Sequence, residues 1–124
     1  MNMKNVLIVF LGGGVGSIFR YLISVFFQSN TTQFPTATFI VNILGSFMIG
    51  MFLAYFAKEN FQIENYTLLL VTGFCGGFTT FSTFSKESFL LALEHQWLTF
   101  FVYIFLSLFV SILATALGFW MIKQ

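Results

Sequence analysis

The chain has 124 residues, of which 58% are hydrophobic and 7% charged, with 20 phenylalanines and a formal net charge of +1. Such a composition excludes an ordinary soluble domain, and the near-zero charge points away from a nucleic-acid partner. One cysteine, Cys75, excludes an intrachain disulfide. The solvent of this protein is the lipid bilayer.

Four apolar segments cover the chain as one transmembrane domain, 1–124, at about 5–27, 36–57, 66–94 and 97–122, each at or above the ~20 residues needed to cross the hydrocarbon. The first begins after Met1-Asn-Met-Lys4. Its outline is that of a secretory signal, but Arg20 and further apolar residues follow at once, which predicts a retained span. Gly12, Gly16, Arg20 and Ser24 recur at the four-residue step of one helix face. Gly12 and Gly16 read as a packing seam. Arg20 has two readings: a snorkelling side chain beside the interfacial Tyr21, or a fixed positive charge at the mouth of an anion pathway. The Gly12-x-Gly14 fragment lacks the strand and third glycine of a dinucleotide fingerprint.

The linker from Gln28 to Pro35 is polar and neutral; the second segment then carries Thr38, Asn42, Ser46, Gly50 and Ala54 on one face, with Ser46 and Gly50 read as packing positions. Asn42 is open to a cross-helix hydrogen bond or to contact with a ligand. The next linker holds Lys58, Glu59 and Glu64.

The third segment contains the most unusual run, Gly73-Phe-Cys-Gly-Gly-Phe-Thr-Thr-Phe-Ser-Thr-Phe-Ser-Lys-Glu87. In hydrocarbon every main-chain N–H and C=O needs a partner, so a Gly-Gly pair followed by Thr-Thr predicts a broken helix buried in protein or beside a polar cavity. A break at Gly76-Gly77 frees carbonyls near Thr79 and Thr80, and carbonyl oxygens without a carboxylate suit a hard monovalent cation. One chain supplies too few of them for a full shell, so two breaks meeting on a dimer axis are the natural arrangement. Phe78, Phe81 and Phe84 recur every third residue beside Ser82 and Thr83. Ring edges and hydroxyl donors together can hold a small anion loosely, although phenylalanines in so Phe-rich a chain also serve as core or lipid-facing residues. Lys86 and Glu87 are adjacent, diverge on a helix and read as interface residues.

After the corner Glu94-His95-Gln96, the fourth segment carries Thr99, Tyr103, Ser107, Ser111 and Thr115 on one stripe. Five hydroxyls exceed the needs of a packing seam and favour a pore-facing role. No acidic residue occupies the middle of any span, so a proton-coupled exporter lacks its carboxylate, and nothing pairs with the lone His95 for catalysis. Alternating spans place Lys4, Lys58 and Lys123 on one side against Arg20 and Lys86 on the other, a bias too weak to choose an orientation.

Gly12-Gly13-x-x-Gly16-x-x-x-Arg20-Tyr21, Thr38-x-x-x-Asn42-x-x-Gly45-Ser46-Phe47, the unbroken run from Gly73 to Glu87, and Tyr103 with Ser107 and Ser111 together resemble the Fluc (CrcB) fluoride channels over nearly the whole chain. The resemblance implies an all-α integral membrane protein, four helices per chain with a broken third, assembled as an antiparallel, dual-topology homodimer in a bacterial plasma membrane. It implies passive, selective fluoride export. It further implies that Thr38, Asn42, Phe81, Ser82, Thr83, Phe84, Tyr103, Ser107 and Ser111 line or flank the fluoride pore and that Arg20 sits at a vestibule, with Glu87 beside the path as a weaker carry-over. A structural Na+ would lie between subunits on the carbonyls of Gly76 and Thr79. Ala37 and Ser17 depart from the family's frequent Gly and Ala. The rival readings are a small dual-topology exporter and a non-transporting membrane assembly protein.

Overall fold

A computed structural model describes residues 1–28, 33–58 and 63–124 of the chain. The expected linkers therefore lie partly outside the described residues, Glu59 included. Four apolar helical spans run Met3–Phe27, Thr36–Lys58, Glu64–Leu93 and Trp97–Lys123. The shortest has 23 residues, and at ~1.5 Å per residue that exceeds the ~30 Å of bilayer hydrocarbon. The first helix starts where the Asn2 side-chain oxygen accepts the Lys4 N–H at 3.0 Å, capping one of its orphan donors.

The spans pair odd with odd and even with even. The first helix runs parallel to the N-terminal half of the third span: Asn5 Nδ2 donates to Glu64 Oε1 at 3.3 Å near their starts, and further along Gly16 lies against the main chain of Phe74 and Phe78. A Cβ on Gly16 would collide with the Phe74 carbonyl, so the small residue is what permits the contact. The second and fourth helices pack likewise, with Gly50 against the main chain at Thr115 and Phe119, and Gly118 against that at Phe47 and Met51. Lys58 Nζ then donates to the Ile122 carbonyl, joining the two C-terminal ends. These seams confirm the small-residue reading of Gly12, Gly16 and Gly50.

The third span is broken, but not at the glycine pair. Residues 63–66 are α-helical, Thr67–Cys75 is π-helical, and Gly76–Phe78 returns to α. Thr79 (ψ 157°) and Thr80 (φ −150°, ψ 122°) are extended, and Phe81–Leu93 forms a second helix. Gly77 keeps the helical path because its missing Cβ lets the span lie on the Gly13 main chain. The break falls three residues later, where Asn42 and the Thr80 hydroxyl offer the backbone other partners.

The C-terminal half of the third span leans on the fourth helix through a small core of Phe84, Leu91 and Tyr103, with Phe34, Phe39, Phe100 and Ile104 packed around it. It ends at His95, whose φ of 57° is the left-handed turn of a Schellman cap, with His95 N–H bonded to the Ala92 carbonyl and Gln96 N–H to that of Leu91. Elsewhere large apolar side chains point outward, as a bilayer or a second copy of the chain requires.

Candidate functional site

The site is built on the interruption. In an unbroken helix the Thr80 N–H would bond to the Gly76 carbonyl. Here it donates to Asn42 Oδ1 at 2.8 Å, while Asn42 Nδ2 donates to the Thr80 carbonyl at 3.1 Å. Thr83 N–H, the helical partner of the Thr79 carbonyl, donates instead to Thr80 Oγ1 at 3.2 Å, which makes Thr80 the N-cap of the second half. Gly76 and Thr79 thereby lose the N–H donors that would occupy their carbonyls. Gly76 is exposed, and both oxygens are hard, uncharged donors of the type a monovalent cation accepts. Among the described residues no three His, Cys, Asp or Glu side chains gather as metal ligands. A cation here would rest on main-chain oxygens.

Two hollows flank the break. The smaller, about 270 Å³, is lined by Asn42, Ser46, Ile49, Thr79, Thr80, Phe81, Phe84, Ser107, Leu108, Ser111 and Ile112. The Phe81 and Phe84 rings stand 5.6 Å apart and tilted at 45°, with Phe84 in turn 5.1 Å from Tyr103. Phe84 is 9% exposed and Phe81 75%. Ser107 is 6% exposed, and its Oγ has no hydrogen-bond partner among the described residues. Buried hydroxyls are rarely left so, and this one lines a groove walled by aromatic rings.

The larger hollow, about 550 Å³, opens on the other side of Thr80 and is lined by Arg20, Lys86, Glu87, Thr38, Thr83 and the polar residues Ser17, Ser24 and Gln28, among others. Two cations share it with one carboxylate. That carboxylate is held: Thr38 Oγ1 donates to Glu87 Oε1 at 2.7 Å and Tyr103 OH to Oε2 at 2.8 Å. Glu87 is thus fixed between the second and fourth helices rather than lying at an interface, as its sequence position suggested. Helical spacing could have found it, since Glu87 follows Thr83 by one turn and Thr83 follows the break.

The expected site residues therefore fall into three groups. Asn42, Phe81, Phe84, Ser107 and Ser111 meet in the smaller groove, Arg20, Thr38 and Thr83 in the larger cavity, and Tyr103, 0% exposed, stands behind both as the link to Glu87. Ser82 lines neither; its Oγ is 3.2 Å from Thr80 Oγ1 at the helix start. The stripe on the fourth helix divides too. Thr115 serves packing, its hydroxyl donating to the Ser46 and Ser111 carbonyls, whereas Ser107 and Ser111 face the groove. Sequence reasoning assigned Ser46 to packing and Lys86 to the interface, yet both line hollows.

A four-span bundle with one interrupted helix, aromatic edges and a buried hydroxyl without a partner among the described residues is the architecture of a small membrane channel. The family model described as "CrcB-like protein, Camphor Resistance (CrcB)" matches residues 7–119. Proteins named "Fluoride-specific ion channel FluC" align along nearly the whole chain. That of Phocaeicola vulgatus is 48% identical over 96% of this chain and 98% of its own length, that of Flavobacterium psychrophilum 42% over 98% and 99%, and that of Escherichia coli O139:H28 40% over 96% and 94%. The chain belongs to the CrcB family.

Proposed function

We propose that this protein is a fluoride-selective channel that releases cytoplasmic fluoride passively and so protects the cell from fluoride accumulation. The names of its relatives support the ion. The observation that carries the mechanism is the smaller groove, where the Ser107 hydroxyl, without a partner among the described residues, lines the same space as the Phe81 and Phe84 rings and Ser111. Ring edges are electropositive and hydroxyls donate, so a small anion finds partial replacement for its hydration there without a cation to trap it. Weak sites in series permit entry and exit, which conduction needs. Arg20 and Lys86 at the larger cavity raise the local anion concentration. Thr38 and Thr83 keep that cavity polar up to the break, while Tyr103 acts from behind it through Glu87 and Ser82 stands beside Thr80 at the helix start.

Hydrogen fluoride crosses membranes as a neutral acid and dissociates inside. A negative-inside potential, worth about 2.3 kcal/mol per charge per 100 mV, then drives the anion out without another energy source.

The working unit in this reading is an antiparallel homodimer in the bilayer. The exposed Gly76 and Phe81 on an otherwise apolar surface support it, because a second copy would complete both the groove wall and a four-carbonyl cradle from two Gly76 and two Thr79 oxygens. Na+ suits that cradle, acting as a structural ion between subunits.

The test is fluoride efflux from liposomes holding the purified protein, loaded with potassium fluoride, triggered by valinomycin and followed by a fluoride electrode. Fluoride release with negligible release from chloride-loaded vesicles is expected. Release equal to protein-free vesicles, from verified folded material, returns the protein to a membrane assembly role.

A further inference from the structure

We propose that Asn42 is a positioning residue, the clamp that keeps the third span interrupted, and that its amide is committed to the Thr80 backbone before it is available to any permeating ion. The geometry is specific. A primary amide presents one acceptor and one donor along one edge, and Asn42 uses both on a single residue, Oδ1 to the Thr80 N–H at 2.8 Å and Nδ2 to the Thr80 carbonyl at 3.1 Å. In an α-helix the N–H and C=O of one residue point in opposite directions along the axis; only an extended residue turns both to the same side. Thr80 is extended, at φ −150° and ψ 122°. Two-point capture therefore selects the extended form and disfavours the helical one.

Without the clamp, two buried backbone groups of Thr80 lose their partners, and the nearest replacement for the N–H is the Gly76 carbonyl. Closing that bond would continue the helix through residues 79 and 80. It would withdraw the Gly76 oxygen from the cation cradle and re-aim Phe81 and Phe84 relative to the first half of the span, because an extended residue turns its neighbours by about 180° and a helical one by about 100°. One side chain of the second helix thus couples cradle and groove. Neither aspartate, which lacks a donor when ionised, nor serine, which is too short, repeats the two-point contact. The coupling to a cation and to fluoride flux rests on the function proposed above; the clamp itself does not.

The experiment uses the full-length protein in micelles with ¹³C-labelled threonine, reading the Thr80 Cα and Cβ shifts, which differ between extended and helical backbone. Alongside it, the thermal midpoint is measured with and without sodium, and fluoride efflux from liposomes. Asn42→Leu is expected to move the Thr80 shifts to helical values, to abolish the sodium-dependent rise in midpoint, and to cut efflux by at least about tenfold, the scale of one unmade buried hydrogen bond. Asn42→Asp is expected to show the same change at alkaline pH, once the carboxyl is ionised, and to regain the extended shifts on acidification, when the protonated carboxyl again offers one donor and one acceptor. If Asn42→Leu does not assemble, the acid titration of Asn42→Asp decides. Unchanged Thr80 shifts in Asn42→Leu, or in Asn42→Asp across the whole pH range, with efflux lost, overturn the clamp and make Asn42 a pore ligand only. Shifts that respond as expected in a protein whose midpoint never responds to sodium uphold the clamp and remove the sodium reading.

Discussion

Phe81 and Phe84 are separated by one helical turn and by a large difference in environment. Phe84 packs on Tyr103 inside the small core, whereas Phe81 leaves 75% of its surface outside the single chain. Substituting them separates packing from permeation. Phe84→Ala is expected to lower the unfolding free energy by about 2 kcal/mol, less than in a water-soluble core because lipid is as apolar as the interior. Phe81→Ala is expected to leave the thermal midpoint of the protein in detergent nearly unchanged. Both are expected to reduce fluoride efflux about tenfold or more, in keeping with a ring edge that stabilises the anion along its path. Equal thermal losses would show that the rings are a packing pair. At this scale the sequence offered Phe every third position beside hydroxyls both as an anion wall and as core or lipid-facing residues, and the family resemblance favoured the first. The division of the site residues between two hollows was not legible, since Tyr103 and Ser107 share one stripe and yet one ends on Glu87 while the other has no partner among the described residues.

The helices are shaped by small residues at their crossings and by one interruption. Gly16 lies against the Phe74 carbonyl and the Phe78 N–H, while Gly14, one residue before Val15 on the exposed face, has open space for 4 Å around the point where a methyl group would stand. Gly14→Ala is therefore expected to raise the midpoint slightly through helix propensity, worth up to about 1 kcal/mol. Gly16→Ala is expected to force the first and third spans apart and to lower folded yield on size-exclusion chromatography. Similar behaviour of the two variants would remove the seam as the basis of this pairing. The four-residue repeat made these seams readable. The position of the break was not, because glycine suggests a flexible point, whereas Gly77 stays helical to let the main chains touch and the break goes to the residue that a distant asparagine captures.

Across the whole molecule the first and third spans run one way and the second and fourth the other, so the ends carrying Lys4, Lys58 and Lys123 lie together and Arg20 and Lys86 lie toward the opposite end. So even a distribution leaves the insertion machinery little bias. For a protein that assembles in both orientations, Gln124→Cys in intact cells is expected to react with a membrane-impermeant thiol reagent in about half of the chains, with the rest reacting only after permeabilisation. Cys75, fully buried, is expected to stay silent in both conditions. Labelling of all chains from a single side would establish one fixed topology.

The amino-acid sequence alone determined the solvent of this protein, the number of its spans and the existence of a break in the third. Those properties follow from local composition and from periods of three and four residues, which a chain carries wherever it folds. Only the tertiary structure decided where the break falls, that Asn42 holds Thr80 at two points, that Glu87 is gripped by Thr38 and Tyr103, and that the hydroxyl stripe divides between packing and groove. Each of these depends on a partner 16 to 69 residues away in the chain. In hydrocarbon the competition among donors and acceptors is settled by which helix lies alongside, and no local pattern records that.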